Sequence, residues 1–160
     1  MRPIDRQAMG LVAITLIVDQ ASKELLLHYL LKAGTLVPVI DGLFQLVIVW
    51  NRGVSFGLLS GDRALPPWVL SGVAIAVCVG LFLWLRRTDR LLTGWGIGLV
   101  MGGAIGNVID RARWGAVFDF ADFHVQEWHW PAFNIADAAI VLGVGLMLID
   151  SLIGERTRTP

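Results

Sequence analysis

Apolar runs long enough to cross a bilayer constrain this chain more than any other feature. A spanning helix needs roughly 20 mostly apolar residues. Residues 68–85, 91–109 and 135–153 supply three such runs, the last with Asp137 near its start and Asp150 near its end. A fourth, about 8–27, is apolar through Val18 and then carries Asp19, Gln20, Ser22, Lys23 and Glu24. No small-x-small cleavage site follows it, so it is read as a retained spanning helix rather than a leader. Pro66 and Pro67 precede the second run and suit a helix entry, because proline tolerates the first turn. The composition agrees: 56% of residues are hydrophobic and 16% charged, with a mean hydropathy of +0.68. A soluble domain has about 25% charged residues. Net charge is zero, which leaves no electrostatic case for nucleic acid. The single cysteine, Cys78, lies in an apolar run; it excludes a disulfide framework and a cysteine metal cluster and reads as a packing residue.

Basic residues orient the runs. The short flanks hold Arg2 and Arg6, then Arg86, Arg87 and Arg90, then Arg156 and Arg158. The longer connections, about 29–66 and 111–134, hold only Lys32, Arg52, Arg63, Arg111 and Arg113. The positive-inside rule therefore puts both termini and the 86–90 link in the cytoplasm and both long connections outside. Within the first connection, residues 35–40 and 44–50 are β-branched and aromatic and are split by Asp41-Gly42, which predicts a short hairpin or small sheet. An open-edged sheet cannot sit in hydrocarbon, so it should lie on the membrane surface. Trp68 suits the outer aromatic belt, and Trp84 and Trp95 the inner one. Gly98, Gly102 and Gly106 recur at four-residue spacing, a pattern that permits close helix contact. No internal repeat or linker divides the chain, so one domain is expected over residues 1–160.

The polar residues gather at the outer face. Asp19 and Lys23 sit in the outer half of the first helix, at i and i+4, and read first as a structural pair. Asn107, Asp110 and Arg111 close the third helix; Arg111 beside Asn107 reads as a bundle brace or a head-group contact. Asn51 and Gly53 would suit a plain turn. Asp119, Asp122, His124 and His129 lie in the second outer connection. With Asp119 and Asp122 nearby the two histidines invite a metal reading, but the spacing matches no helical zinc motif and no third strong ligand is placed. They therefore read as interfacial beside Trp128 and Trp130, and no metal is expected. Asp150, at the inner end of the last helix, reads as solvated. Asp137, one turn inside a spanning helix, and Asp119, within Val117-Phe118-Asp119-Phe120, are acids in apolar settings at one face. Two such carboxylates are what an aspartyl protease needs, one protonated and one ionised.

Five motifs occur in order: Asp19-Gln20-Ala21-Ser22-Lys23; Asn51-x-Gly53-x-x-Phe56; Gly106-Asn107-x-x-Asp110-Arg111; Val117-x-Asp119-Phe120; and Phe133-Asn134-x-Ala136-Asp137. Together they resemble the signature of the lipoprotein signal peptidases (signal peptidase II, peptidase family A8), from about residue 8 to residue 150. The resemblance implies an all-α membrane protein of four transmembrane helices, with a small periplasmic β-cradle and a short periplasmic helix. It implies an intramembrane aspartic endopeptidase of the bacterial inner membrane that removes the signal peptide from prolipoproteins, cutting just before the diacylglyceryl cysteine. Its catalytic residues would be Asp119 and Asp137. Its supporting residues would be Asp19, Lys23, Asn51, Gly53, Asn107, Asp110, Arg111 and Asn134. The implied partners are prolipoproteins, membrane lipid and the cyclic peptide globomycin; the enzyme would be a monomer without cofactor. The rival reading is a small transporter or proton-relay subunit that uses the same acids, but transporter sites lie near the midplane, often at inverted repeats. Here the acids cluster at one interface and the halves do not repeat.

Overall fold

The structure is a computed structural model that describes residues 1–53 and 66–156. Phe56, Arg63 and Arg158 lie outside the described residues. The chain runs α1 (Pro3–Ala33), β1 (Leu36–Ile40), β2 (Phe44–Asn51), α2 (Pro67–Leu85), α3 (Leu91–Trp114), β3 (Val117–Val125), β4 (Trp128–His129) and α4 (Ile135–Arg156). It is a mostly helical membrane protein with a small antiparallel sheet. Three helices, α2, α3 and α4, are long and apolar enough to cross a bilayer. The first helix is the longest at 31 residues, and its polar stretch from Asp19 to Glu24 sets it apart from them.

The centre of the bundle is α3, which packs against all three other helices. Its spanning stretch is 67% buried, against 11% for α2 and 22% for α4. Glycine makes that position possible. A Cβ at Gly98 would lie 2.6 Å from the Ala8 carbonyl oxygen, and one at Gly106 would lie 2.6 Å from Asp19 Oδ2. The expected close contact is therefore real, and its partner is α1. Gly96 and Gly103 serve α4 in the same way, against Gly143 and Ala136. Ala8, Val12, Cys78, Leu85, Ile97, Met101 and Ala104 fill the bundle core; Cys78 is the packing residue expected.

The predicted hairpin forms as β1 and β2, with Leu36 opposite Val47. It belongs to a four-stranded sheet, ordered β1-β2-β3-β4, whose other two strands come from the second connection. The strand β3, read above only as a connection, pairs antiparallel with β2, placing Val49 opposite Asp119 and Gln45 opposite Asp122. Gly115 caps α3 at φ 71°, the left-handed conformation glycine adopts without a steric penalty, and turns the chain into β3. An isolated bridge from Ala121 to Phe133 stitches the approach to α4 onto the same sheet. A second core of Leu30, Phe118, Phe120 and Ala121 lies under the sheet, because the last turns of α1 reach it. No short fifth helix occurs among the described residues.

At the opposite end of the bundle, arginines clasp the helix ends. Arg2 pairs with Asp5 at 2.8 Å and Asp89 at 2.9 Å and donates to the Leu85 carbonyl. Asp150 corrects the expectation of a solvated acid. It is buried, paired with Arg90 at 3.0 Å and hydrogen-bonded by Thr93. Its partners stand about 60 residues earlier, at the start of α3, where no local pattern could reveal them.

Candidate active site

The start of α4 fixes the first carboxylate. Asn134 precedes the helix, and its Oδ1 accepts the Asp137 backbone N–H at 3.0 Å. Asp137 Oδ2 accepts the Asn134 backbone N–H in return, at 3.3 Å. This is the reciprocal geometry of a capping box, which satisfies two otherwise orphaned donors at a helix start. It also holds the Asp137 side chain in one orientation. Asp137 Oδ1 then accepts Asn107 Nδ2 from α3 at 2.8 Å.

The second carboxylate, Asp119, projects from β3. Its Oδ1 accepts Asn134 Nδ2 at 2.7 Å, so one asparagine is bonded to both acids. Its Oδ2 accepts Asn51 Nδ2 at 3.0 Å, from the end of β2. Asn51 is itself oriented, because the Gly53 N–H donates to its Oδ1 at 2.8 Å. Gly53 lies at φ 95°, a conformation that favours glycine, and a Cβ there would collide with Leu70. Asp119 is only 1% exposed, whereas Asp137 is half-buried. Burial, and next the neighbouring charge of Asp137, push the Asp119 carboxyl up to about 7. The bonds from Asn51 and Asn134 and the charge of Lys23 oppose that rise without cancelling it. Asp137 opens onto a cavity of about 640 Å³ whose walls include Asn51, Trp130, Phe133, Val141 and Leu142.

A buried ionic cluster underlies the pair. Lys23 Nζ sits 2.9 Å from Asp19 and 2.8 Å from Asp110, with all three side chains fully buried. It also donates to Asn107 Oδ1 at 3.3 Å. Asp19 Oδ1 accepts the backbone N–H of Ala136 at 2.9 Å, and Asp110 Oδ2 accepts that of Phe118 at 3.2 Å. Each of these acids therefore grips the residue immediately before Asp137 or Asp119. The structural role expected of Asp19 and Lys23 fits this geometry, and Asp110, which closes the third helix, is a second buried ion-pair partner of Lys23. Arg111 donates to the Asn107 carbonyl one turn back on its own helix at 3.4 Å, and its electrostatic neighbours are Asp137, Asp110 and Asp119.

Sequence reasoning gave no role to Gln20, which donates to Asp110 at 2.9 Å and Asp19 at 3.1 Å. Its place inside the first motif was the only signal. His124 and His129 also need correction, since they do have a third donor. Asp122 lies 2.9 Å from His129 Nδ1, and ligand atoms of all three residues fall within 4.8 Å of one another.

Comparison with known proteins decides the assignment. The pattern described as Signal peptidase (SPase) II matches residues 11–153, which contain every residue of the site just described. The chain belongs to the signal peptidase II family. It is 46% identical to a lipoprotein signal peptidase of Methylorubrum extorquens (strain PA1), over 89% of this chain and 85% of that one. A lipoprotein signal peptidase of Geobacter sulfurreducens is 40% identical over the full length of both. Among solved structures, a bacterial membrane enzyme determined by the in meso method at 2.3 Å resolution aligns with a TM-score of 0.76. Its sequence identity is 27%, over 95% of this chain and 91% of that one. A second such enzyme, at 1.9 Å resolution, aligns with a TM-score of 0.71 and 28% identity. The signal peptidase II fold thus carries the described residues of the five motifs on five separate elements, α1, the end of β2, α3, β3 and the start of α4, and gathers them at one end.

Proposed function

We propose that this signal peptidase II is an intramembrane aspartic endopeptidase that removes the signal peptide from diacylglyceryl-modified prolipoproteins, cutting just before the lipidated cysteine. One observation carries the reading: Asp119 and Asp137 are bonded to a single asparagine, one buried and pushed up to about 7, the other open to the cavity. A carboxyl pushed up to about 7 can carry a proton near neutral pH. Asp119, the buried member, holds that proton and donates it to the scissile carbonyl oxygen. Asp137 takes a proton from water, whose oxygen attacks the carbonyl carbon. The tetrahedral intermediate collapses as Asp137 returns its proton to the departing amide nitrogen, and Asp119 recovers its own from the former carbonyl oxygen. No acyl-enzyme forms. The apolar cavity walls, Val141 and Leu142, suit an apolar substrate segment or acyl chain beside the acids.

The placement in the membrane follows. The first helix spans as a fourth transmembrane segment, both termini are cytoplasmic, and the acid pair works at the periplasmic face of the inner membrane with the sheet on the bilayer surface. The chain acts as one domain and a monomer, with prolipoprotein and membrane lipid as partners. A purified sample in detergent should cleave a diacylglyceryl lipobox peptide in the presence of EDTA. Asp119→Asn and Asp137→Asn should each lower turnover by about 10²–10⁴-fold, the usual contribution of a general acid or base, while still binding the peptide. Near-normal turnover in either variant would end the assignment.

A further inference from the structure

We infer that the β3–β4 hairpin is a binding site for a divalent transition-metal ion, Zn²⁺ in the first instance, separate from the acid pair. Asp122 and His124 are two positions apart on β3 and so leave the same face of the sheet. His129 is the direct cross-strand partner of His124 on β4, which brings its side chain onto that face as well. The two imidazoles stack with ring centres 5.0 Å apart and planes 16° apart. His129 Nδ1 lies 2.9 Å from Asp122 Oδ2 and 3.1 Å from Oδ1. Metal–ligand bonds of about 2.0–2.2 Å to His and Asp place neighbouring donors about 3.3 Å apart around a tetrahedral ion. The Asp122–His129 edge is already near that spacing, and the whole set lies within 4.8 Å.

Two further observations point to a ligand. His124 Nδ1 is buried and has no hydrogen-bond partner among the described residues, and a buried polar atom normally has one; a metal ion would supply it. Asp122 is buried, and Gln45 Nε2 donates to its Oδ2 at 2.6 Å from the paired strand β2. Outer partners of that kind orient metal-ligating carboxylates. Two imidazoles and one carboxylate, with a fourth position left for water, suit zinc and the later divalent transition ions rather than Mg²⁺ or Ca²⁺. Asp119 lies three positions before Asp122, so the two carboxylates leave β3 from opposite faces. A bound ion would pin β4 to β3, and the chain leaving β4 leads through the Ala121–Phe133 bridge to Asn134.

The test uses tag-free, full-length protein in detergent, stripped of metal and then titrated with Zn²⁺ by calorimetry and with Co²⁺ by visible absorption. The expected result is one equivalent of Zn²⁺ bound, a raised melting temperature, and Co²⁺ bands of a low-symmetry site. His129→Ala, at an exposed position that folding should tolerate, should weaken binding at least tenfold. Gln45→Leu should weaken it about tenfold, the lower range for loss of an outer partner. Substoichiometric binding by the wild type would overturn the assignment. So would an affinity unchanged in the His124→Ala/His129→Ala double variant, which would locate the ion elsewhere.

Discussion

Replacing Asp119 by asparagine should stabilise the protein at neutral and alkaline pH while disabling it. The Asp119 carboxyl moves from 3.8 to about 7 on folding, which at about 1.4 kcal/mol per pH unit amounts to about 4 kcal/mol. The sign follows from proton binding. Below pH 3.8 the group is protonated in both states and contributes nothing. Between 3.8 and about 7 the unfolded chain ionises it and the folded chain does not, so the unfolded state gains and stability falls as pH rises. Above about 7 both states are ionised and the full penalty persists. Asp119→Asn removes it, because the amide is neutral at every pH. At pH 4 the wild-type side chain is a neutral group that both donates and accepts, much like the amide, so variant and wild type should nearly coincide. At pH 8 the variant should be more stable by up to about 4 kcal/mol. Unfolding in detergent micelles, followed at pH 4, 6 and 8 for both proteins, reads this directly, because groups that do not interact with Asp119 cancel in the difference. A difference that stays the same across that range would refute the claim that burial and the Asp137 charge hold a proton on Asp119.

The same proton should appear in turnover: kcat/KM for a lipidated peptide should fall as pH rises through about 7, because the proposed acid role of Asp119 requires its protonated form. A profile flat from pH 6 to 9 would remove Asp119 from the acid role. Asp19→Ala should lower stability by about 3–5 kcal/mol, the cost of stripping a buried cation of a partner; an unchanged melting temperature with lost turnover would show Asp19 to act in the chemistry. Asp41→Cys, at the exposed β1–β2 turn, should react with an impermeant thiol reagent in intact spheroplasts, and labelling only after lysis would invert the proposed topology.

What could be read in the sequence, and what could not, divides by range. The apolar runs of α2, α3 and α4 were legible because their length alone requires a nonaqueous solvent. The β1–β2 hairpin was legible because Asp41-Gly42 is a local turn signal between β-branched runs, and Gly42 indeed sits at φ 71°. The strand β3 was not. Val117–Ala121 is buried throughout, so the apolar–polar alternation that announces a half-exposed strand is missing, and its partner β2 lies some 70 residues earlier. The acid pair was legible as two carboxylates in apolar settings, and the order of the motifs added the supporting residues. Their roles were not legible, because Asp19 acts on Ala136 and Asp110 on Phe118 through backbone N–H groups that any residue type would offer. Asp122 was discounted as a partner for the histidines because linear spacing was judged against helical zinc motifs. On a hairpin the relevant neighbours are i+2 along the strand and the residue across it, and both relations hold here.

The buried cluster then has a physical rationale beyond pairing. A lone lysine in this interior would cost several kcal/mol, and two carboxylates around it offset that only if their remaining lone pairs are satisfied. Here they are: Gln20, the Ala136 N–H and the Phe118 N–H occupy the rest. Those two backbone groups belong to the start of α4 and to β3, elements that meet at the site but are separate in the chain. One ammonium ion thus fixes, through two carboxylates, the backbone positions that present Asp137 and Asp119. Asn107 ties the same ammonium to Asp137 directly, donating to that carboxylate while accepting from Lys23. Positioning therefore reaches the two acids from the fully buried Asp19, Lys23 and Asp110, whose geometry solvent cannot relax, which is how a pair on different elements can be held in place.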